Sequence, residues 1–245
     1  MPELTTACGW CGFASTLAFH ACPACGADPC PTTPDPVAPP SLADVPRAPA
    51  PGLTTGTAWD ALGGDRVPFG VSVLFTAPPG RGKTLLALAL AGAWVRAGGV
   101  VDYGLYEMTP DQFRRYADLV GVAGQGIMVR TTSEAPWPSE DSGAWYPMLI
   151  VVDSLQGLAA PSEVLALAQD YARAARAGRR TTVLLLGHVT KDWDAAGPEA
   201  LVHEVDAEVT LEVGASEAER VLVVGPKTRC GRPARVAVAW PPRQS

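Results

Sequence analysis

Lysine is scarce in this sequence of 245 residues: there are three lysines, while arginine occurs sixteen times. Arginine therefore supplies most of the solvated positive charge, and a remaining lysine indicates a position that needs a compact ammonium group on a flexible chain. The three positions are Lys83, Lys191 and Lys227. Each of them lies in a motif with a candidate function.

The sequence also lacks an apolar run long enough to span a bilayer. Its longest apolar helix, predicted near residues 85–95, is too short, and no charged leader with an apolar core and a cleavage site precedes it. The net charge of −6 argues against a protein coated with nucleic acid. Residues 220–245 nevertheless contain six basic residues and no acid. We expect a cytoplasmic protein with no membrane contact and with a local basic surface able to contact DNA.

Four of the six cysteines form two Cys-x-x-Cys pairs with ten residues between them, and a glycine follows each pair. Two such pairs can place four thiolates tetrahedrally around one Zn²⁺, and the glycines permit turns that aim backbone N–H groups at sulfur. The alternative, two disulfides in a secreted chain, requires a leader. The predicted zinc ligands are Cys8, Cys11, Cys22 and Cys25.

Proline, alanine, threonine and aspartate dominate residues 27–51. Repeated proline fixes φ and removes hydrogen-bond donors, so this segment is predicted to be an extended, semi-rigid tether. The expected organisation is a zinc ribbon over residues 1–27, a proline-rich linker over 28–55 and one larger domain over 56–245.

Residues 71–95 combine an apolar strand pattern, a loop rich in glycine and proline, and an alanine/leucine helix, which is the context of a phosphate-binding P-loop. Loop N–H groups would cradle the phosphates of ATP, Lys83 would reach the β and γ oxygens, and the Thr84 hydroxyl would bind Mg²⁺. Ala77 replaces the usual first glycine, which is acceptable if its φ is negative. The predicted nucleotide-binding residues are Ala77, Pro78, Pro79, Gly80, Arg81, Gly82, Lys83, Thr84 and Leu85.

Helix and strand patterns alternate along the rest of the chain. Uniformly apolar strands such as 148–152 indicate a parallel sheet covered by helices on both faces, with an antiparallel extension at its C-terminal end. The predicted fold class is therefore α/β. The predicted helices are 84–97, 109–120 and 162–178, and the predicted strands are 99–105, 127–130, 148–153, 181–187, 207–213, 219–225 and 234–240.

Two acids follow apolar strands. Asp153 is predicted to hold the Mg²⁺ water shell from the end of a strand beside the P-loop strand; the alternative is an aspartate that caps a turn. Glu107 is predicted to be the base that orients and deprotonates the water attacking the γ-phosphate. Its alternative role is a charge at the start of the next helix, although Thr109 and Pro110 can begin that helix without it.

Three further candidates lie later in the chain. His188 follows an apolar strand and is predicted to face the γ-phosphate; the alternative is a histidine satisfied in a turn. Lys227 and Arg229 lie between two β-runs, and at a subunit boundary they could stabilise charge on a neighbour's γ-phosphate. Contact with DNA phosphates, or a solvated hairpin, remain alternatives for this pair.

The chain resembles the bacterial DNA-repair ATPase family RadA, also called Sms, over about residues 8–26 and 56–240. The resemblance implies a RecA-like P-loop ATPase core, with a mostly parallel sheet flanked by helices, and an N-terminal four-cysteine zinc ribbon. It also implies ATP-dependent action on single-stranded or branched DNA by a homo-oligomer, a hexameric ring, with a recombinase or helicase as partner. Besides the cysteine pairs, it rests on Asp153-Ser-Leu-Gln156, Gly187-His-Val-Thr-Lys191, Ala196-Gly-Pro198, His203, Val205-Asp206 and Lys227-Thr-Arg-Cys-Gly231.

The sequence departs from the RadA pattern at several points. We expect a short form without the family's C-terminal Lon-protease-like domain, and the loop at 157–161 is short and uncharged. Glu199 and Cys230 stand where the family has arginine and phenylalanine. Two alternatives therefore stay open: an ATP-switched zinc-ribbon adaptor or regulatory ATPase without motor activity, and a DnaB-like helicase-type ATPase, which Tyr106-Glu-Met108 resembles.

Overall fold

The computed structural model describes residues 6–8, 11, 13–15, 21–26, 32–33, 51–131, 146–160, 163–177, 180–188, 197–216 and 219–242. The chain divides into two compact units, Met1–Pro49 and Ala50–Ser245. In the first unit, strand β1 pairs antiparallel with both β2 and β3. These three strands are Thr6–Cys8, Ala14–Ser15 and Thr32–Thr33.

The second unit is built around an eight-stranded sheet with the order β13-β12-β11-β6-β10-β9-β7-β8. The six strands from β11 to β8 in this order are all parallel to their neighbours. Strand β12 pairs antiparallel with both β11 and β13. The predicted parallel sheet with an antiparallel C-terminal extension is thus confirmed. The eight strands are Val71–Ala77 (β6), Val100–Leu105 (β7), Ile127–Arg130 (β8), Met148–Asp153 (β9), Thr181–His188 (β10), Ala207–Val213 (β11), Glu219–Thr228 (β12) and Ala234–Ala239 (β13).

A smaller antiparallel pair precedes this sheet: β4 (Gly52–Leu53) pairs with β5 (Val67–Pro68), and a 3-10 turn over Ala58–Leu62 lies between them. Part of the predicted linker over 28–55 is therefore paired in short strands. The rest of it, apart from residues 51 and 54–55, lies outside the described residues.

Helices cover both faces of the large sheet. Because neighbouring side chains of a strand point to opposite faces, Phe75 belongs to the hydrophobic cluster that includes Trp94, whereas Leu74 belongs to the cluster that includes Tyr171. Burial on both faces explains why the central strands are apolar throughout. The helices are α1 (Lys83–Arg96), α2 (Pro110–Val120), α3 (Leu155–Leu158), α4 (Val164–Ala177) and α5 (Gly197–Glu204). In the described part of the chain, none of them has the length and apolarity that crossing a bilayer requires.

Helix α2 shows why its start could be predicted. The Thr109 hydroxyl accepts a hydrogen bond from the Gln112 backbone N–H at 3.3 Å, and the Gln112 side chain accepts one from the Thr109 N–H at 3.0 Å. This capping box, with Pro110 in the first turn, satisfies the orphan donors of the helix. Gly121 ends the helix with φ 83°. Glu107 is therefore not needed as the cap of α2.

Candidate functional site

The P-loop connects the end of β6 to the start of α1. Gly80 and Gly82 have φ values of 71° and 97°, a backbone region in which other residues are strained. Ala77 fits its position because, among the described residues, only glycines have positive φ. Gly82 is the N-cap residue of α1. The first backbone N–H groups of that helix have no acceptor within the helix, and they point towards the loop. Such a helix start attracts phosphate.

Lys83 is enclosed by the loop that it ends. Its side chain is only 7% exposed, and its ammonium group donates a hydrogen bond to the Ala77 carbonyl at 3.0 Å. Burial lowers the pKa of Lys83, while the charges of Asp153 and Glu107 act in the opposite direction. The ammonium group thus lies between the first residue of the loop and two acids that come from other strands.

Asp153 ends β9 and is 3% exposed. Its carboxylate accepts a hydrogen bond from the Tyr103 hydroxyl at 2.9 Å. Burial raises the pKa of Asp153, and hydrogen bonds from Thr84 and Tyr103 partly offset that effect. The Thr84 hydroxyl and the Asp153 carboxylate therefore lie side by side. Hard oxygen donors of this kind are the ligands that Mg²⁺ prefers, so these two residues fit the predicted metal site.

The sequence did not place β9 correctly within the sheet. Asp153 was expected at the end of a strand beside the P-loop strand, but β10 lies between β9 and β6, so this expectation is wrong. Chain order does not specify which parallel strand returns to the middle of a sheet, because each crossover can bring the next strand to either side. Asp153 still reaches the loop, since two strand spacings amount to about 10 Å.

Glu107 follows β7 and is exposed to solvent. Its carboxylate accepts a hydrogen bond from the Ser154 hydroxyl, and its charge acts on both Lys83 and Asp153. The carboxyl ends of parallel strands meet at one edge of a sheet. That edge brings together Lys83, Thr84, Asp153 and Glu107 although they come from three separate parts of the sequence.

The backbone of His188 also reaches this edge, because His188 pairs in register with Ala77. Its side chain and residues 189–196, which include Lys191, lie outside the described residues. The predicted contact between His188 and the γ-phosphate therefore stays a prediction.

Lys227 and Arg229 lie at the opposite end of the sheet. Lys227 donates a hydrogen bond to the Val202 carbonyl, and the Arg229 guanidinium lies 3.1 Å from the Asp206 carboxylate. That carboxylate also accepts hydrogen bonds from the backbone N–H and hydroxyl of Ser72, which lies near the start of β6. From Ser72 to the P-loop, β6 extends about 17 Å at about 3.4 Å per residue. Neither cation is therefore positioned to act on phosphates bound by its own chain.

The four predicted zinc ligands are clustered in the first unit. Their sulfur atoms all lie within 4.8 Å of one another, and the Cys8–Cys25 and Cys11–Cys22 separations are both 3.7 Å. A tetrahedral site with Zn–S bonds of about 2.3 Å requires sulfur–sulfur distances of about 3.8 Å. All four are free thiols, so the structure does not support the disulfide alternative.

The surroundings of the cysteines also fit a closed zinc site. The Ala24 N–H donates to the Cys22 sulfur at 3.4 Å, and Gly26 makes its turn with φ 73°. Burial, together with hydrogen bonds among the four thiols, raises the pKa of Cys11 to about 12. A bound Zn²⁺ would reverse this effect, because its charge stabilises thiolates. All four ligand positions are then filled by protein.

Comparisons with known proteins agree with this arrangement. No family model matches the chain. The DNA repair protein RadA of Mycobacterium tuberculosis (strain H37Rv) is 32% identical over 181 residues, which cover 69% of this chain and 37% of that protein. RadA of Brucella abortus is 29% identical over 187 residues, which cover 71% of this chain and 40% of that protein. This chain is a member of the RadA-like family. It spans less than half the length of these curated relatives.

Solved structures show the fold of the RadA-like chain. The "ATPase Domain of G40P" matches with a TM-score of 0.55 and 16% identity, covering 70% of this chain and 81% of that one. A structure of a DnaB-like replicative helicase and its interactions with primase matches with a TM-score of 0.56 and 15% identity, covering 70% of this chain and 55% of that one. The predicted RecA-like P-loop ATPase fold is confirmed.

Two polar residues of the RadA-like site were not singled out from the sequence. Tyr103 lies in the middle of β7, where a tyrosine hydroxyl must find a buried partner; that requirement is a usable signal, but the sequence does not identify the partner. Ser154 follows Asp153 directly, and nothing in its local pattern indicates that it contacts Glu107. Both contacts depend on the order of β7 and β9 in the sheet.

Two further residues contact the P-loop of the RadA-like chain from the antiparallel side of the sheet. The ring of Trp240, just beyond β13, lies against Gly82 so closely that a Cβ atom at Gly82 would overlap it. The Arg220 guanidinium lies 4.7 Å from the centroid of that ring, and its Nε donates to the Arg81 carbonyl at 3.4 Å. No sequence pattern indicates this contact, because Trp240 is distant from the P-loop along the chain.

Proposed function

We propose that the RadA-like chain binds and hydrolyses ATP with Mg²⁺ at its P-loop, and that this ATPase acts in DNA repair. The observation that carries the proposal is the convergence of Lys83, Thr84, Asp153 and Glu107 at one edge of the sheet. A buried cation, a hydroxyl–carboxylate pair and an exposed carboxylate are the groups that phosphoryl transfer to water requires.

Each group has a distinct task in this mechanism. Loop N–H groups and the start of α1 hold the phosphates, and Lys83 exchanges the Ala77 carbonyl for phosphate oxygens. Thr84 and Asp153 would hold Mg²⁺, which neutralises charge on the β- and γ-phosphates when bound. Glu107 orients the attacking water and accepts its proton. The Ser154 hydroxyl positions Glu107 for this step.

Lys227 and Arg229 complete the site of a neighbouring copy in this proposal. They lie too far from their own P-loop to act there, whereas a copy stacked against that end of the sheet could receive them. The Arg229 side chain is 55% exposed although it pairs with Asp206, so its charge is accessible to another subunit. A cation supplied in this way stabilises the charge that develops on the transferred phosphoryl group. The proposed assembly is therefore a homo-oligomer, a ring of such copies.

The nucleic-acid part of the proposal is supported by the relatives, which are named as DNA repair proteins. Single-stranded or branched DNA is the proposed substrate, and a recombinase or helicase is the proposed partner. The basic residues that follow Arg229 offer a phosphate-binding surface: the Arg235 side chain on β13 is 61% exposed although it lies 2.6 Å from Glu212 on β11, two strands away. Phosphate contacts of this kind weaken with added salt.

The test is to compare the wild-type chain with Lys83→Ala in two assays, ATP binding and phosphate release, each with and without single-stranded DNA. The expected result is that the wild-type chain turns over ATP faster with DNA, and that Lys83→Ala loses binding or turnover. Arg96→Ala, at the far end of α1, is the matched control for loss of a cation. ATP binding without turnover, even with DNA, would overturn the proposal and favour the ATP-switched adaptor.

A further inference from the structure

Trp240 places an aromatic ring directly beside the phosphate loop. The ring contacts Gly82, the residue that precedes Lys83, and is partly buried against the core. Arg220, which stacks on the ring, is only 5% exposed. Its NH1 donates to the Glu219 carbonyl at 2.8 Å, and its Nε reaches the Arg81 carbonyl. Ring and guanidinium are therefore held in place relative to the loop.

A nucleotide bound by its phosphates must rest its base beside the loop, because only a ribose separates the two. On the side of β9 and β7 the loop meets Asp153 and Glu107, which are charged groups suited to a metal and a water. On the side of β11, β12 and β13 it meets the Trp240 ring and a largely apolar cavity. This cavity, of about 400 Å³, is lined by Pro78, Arg81, Thr210, Leu211, Glu212 and Val213. A flat, weakly polar base fits the second side.

We propose that Trp240 is the stacking platform for the base of the bound nucleoside triphosphate, with Arg220 as the residue that positions its ring. This inference rests on the proposed ATP site and specifies how that site holds the part of the substrate that does not react. Base–aromatic stacking uses the π-face that every base has, and the Arg220 guanidinium stacked on the Trp240 ring holds that ring in place. The platform therefore distinguishes a nucleotide from a bare polyphosphate, and it tolerates different bases.

The experiment measures dissociation constants by calorimetry, in the presence of Mg²⁺, for two probes: ATP and inorganic tripolyphosphate, which lacks ribose and base. The proteins are the wild-type chain, Trp240→Ala, Trp240→Phe and the surface control Arg173→Ala on α4. Trp240→Ala is expected to weaken ATP binding about 10-fold, the scale of one base–aromatic stack. Its tripolyphosphate binding should match the wild type. Trp240→Phe should keep most of the ATP affinity, since it retains an aromatic face.

Three results would overturn the platform. One is an unchanged ATP affinity in Trp240→Ala. Another is an equal loss of ATP and tripolyphosphate affinity, because Trp240 would then act only by shaping Gly82 and its loop. The third is an ATP affinity of Trp240→Phe as low as that of Trp240→Ala. This comparison decides the question even when neither variant binds tripolyphosphate.

Failure of the ATP site itself gives a different pattern. In that case the wild-type chain binds neither probe, and Lys83→Ala is indistinguishable from it. Loss of the platform alone leaves the wild-type chain binding ATP and leaves the effect of Lys83→Ala intact.

Discussion

The Ser154 hydroxyl donates a hydrogen bond to the Glu107 carboxylate, although 47 positions separate the two residues in the sequence. The contact exists because β7 and β9 are neighbours in the sheet and both end at the edge that carries the P-loop. It holds the exposed carboxylate close to Asp153 and Lys83, where a water attacking a γ-phosphate would lie.

Replacing Glu107 by glutamine should separate ATP binding from turnover. The amide keeps the size of the side chain but cannot accept a proton, so we expect a fall in turnover of about 100-fold or more with little change in ATP affinity. Single-turnover hydrolysis and equilibrium binding measure the two effects. Asp111→Asn, in the first turn of α2, is the control for the loss of a nearby acid. A variant that hydrolyses ATP at the wild-type rate would exclude Glu107 as the base.

Removing the Tyr103 hydroxyl should weaken the magnesium site without removing a proposed ligand. Tyr103→Phe deletes the hydrogen bond that orients the Asp153 carboxylate, and loss of such a supporting contact costs about 10-fold or more in metal affinity. The measurement is ATPase activity as a function of Mg²⁺ concentration, with Tyr116→Phe on the exposed face of α2 as control. If half-saturation by Mg²⁺ does not change, Tyr103 has only a packing role.

The four-cysteine cluster should hold one Zn²⁺ per chain in protein purified under reducing conditions. Elemental analysis is the measurement, and the double variant Cys8→Ser/Cys11→Ser should lose the metal because two thiolates cannot hold it alone. Thermal unfolding of the second unit should remain as in the wild type, because the cysteines belong to the other of the two compact units. Cys230→Ser is the control and should retain zinc. Metal-free wild-type protein would contradict the prediction.

Mixing two inactive variants should restore activity if copies share the ATP site. Arg229→Ala removes the cation offered to a neighbour, and Lys83→Ala damages the P-loop, so each leaves the other half of the site intact. Mixed assemblies should recover part of the wild-type rate, and the rate per chain should rise with protein concentration. Arg173→Ala mixed with Lys83→Ala is the control for simple dilution. A mixture no more active than its components would exclude a shared site.

A role of Arg229 in DNA binding predicts a different result for the same variant. If Arg229 contacts DNA phosphates instead, Arg229→Ala should keep its basal ATPase rate and bind single-stranded DNA more weakly. The salt dependence of its DNA binding should also be reduced, because fewer counterions are released. Filter binding at several salt concentrations measures this outcome.

Local features of the fold could be predicted from the sequence, and non-local ones could not. Helix α2 begins and ends where Thr109, Pro110 and Gly121 indicate, because capping and turn chemistry act over a few residues. The acids at the ends of β7 and β9 were also found, since an apolar run that ends in a carboxylate is visible in the sequence. The position of β9 was not, because strand order depends on crossovers that the sequence pattern does not specify.

The same distinction applies to the pair at the far end of the sheet. Lys227 and Arg229 are only two residues apart in the sequence. However, β12 ends at Thr228, and the two cations contact different partners, the Val202 carbonyl and the Asp206 carboxylate. No sequence pattern connects the segment that contains Asp206 with Arg229. Only the assembled sheet brings the two together.

Asp206 has a second cation: Arg176, at the end of α4, lies 3.0 Å from the same carboxylate oxygen that binds Arg229. Burial alone would raise the pKa of Asp206, but hydrogen bonds from Ser72 and the charge of Arg176 lower it overall. If Arg229 turns towards another molecule, the carboxylate keeps one ion pair and its bonds to Ser72, so no buried charge is left without a counterion. In the proposed assembly, Arg229 would therefore leave Asp206 for a neighbouring copy at small cost.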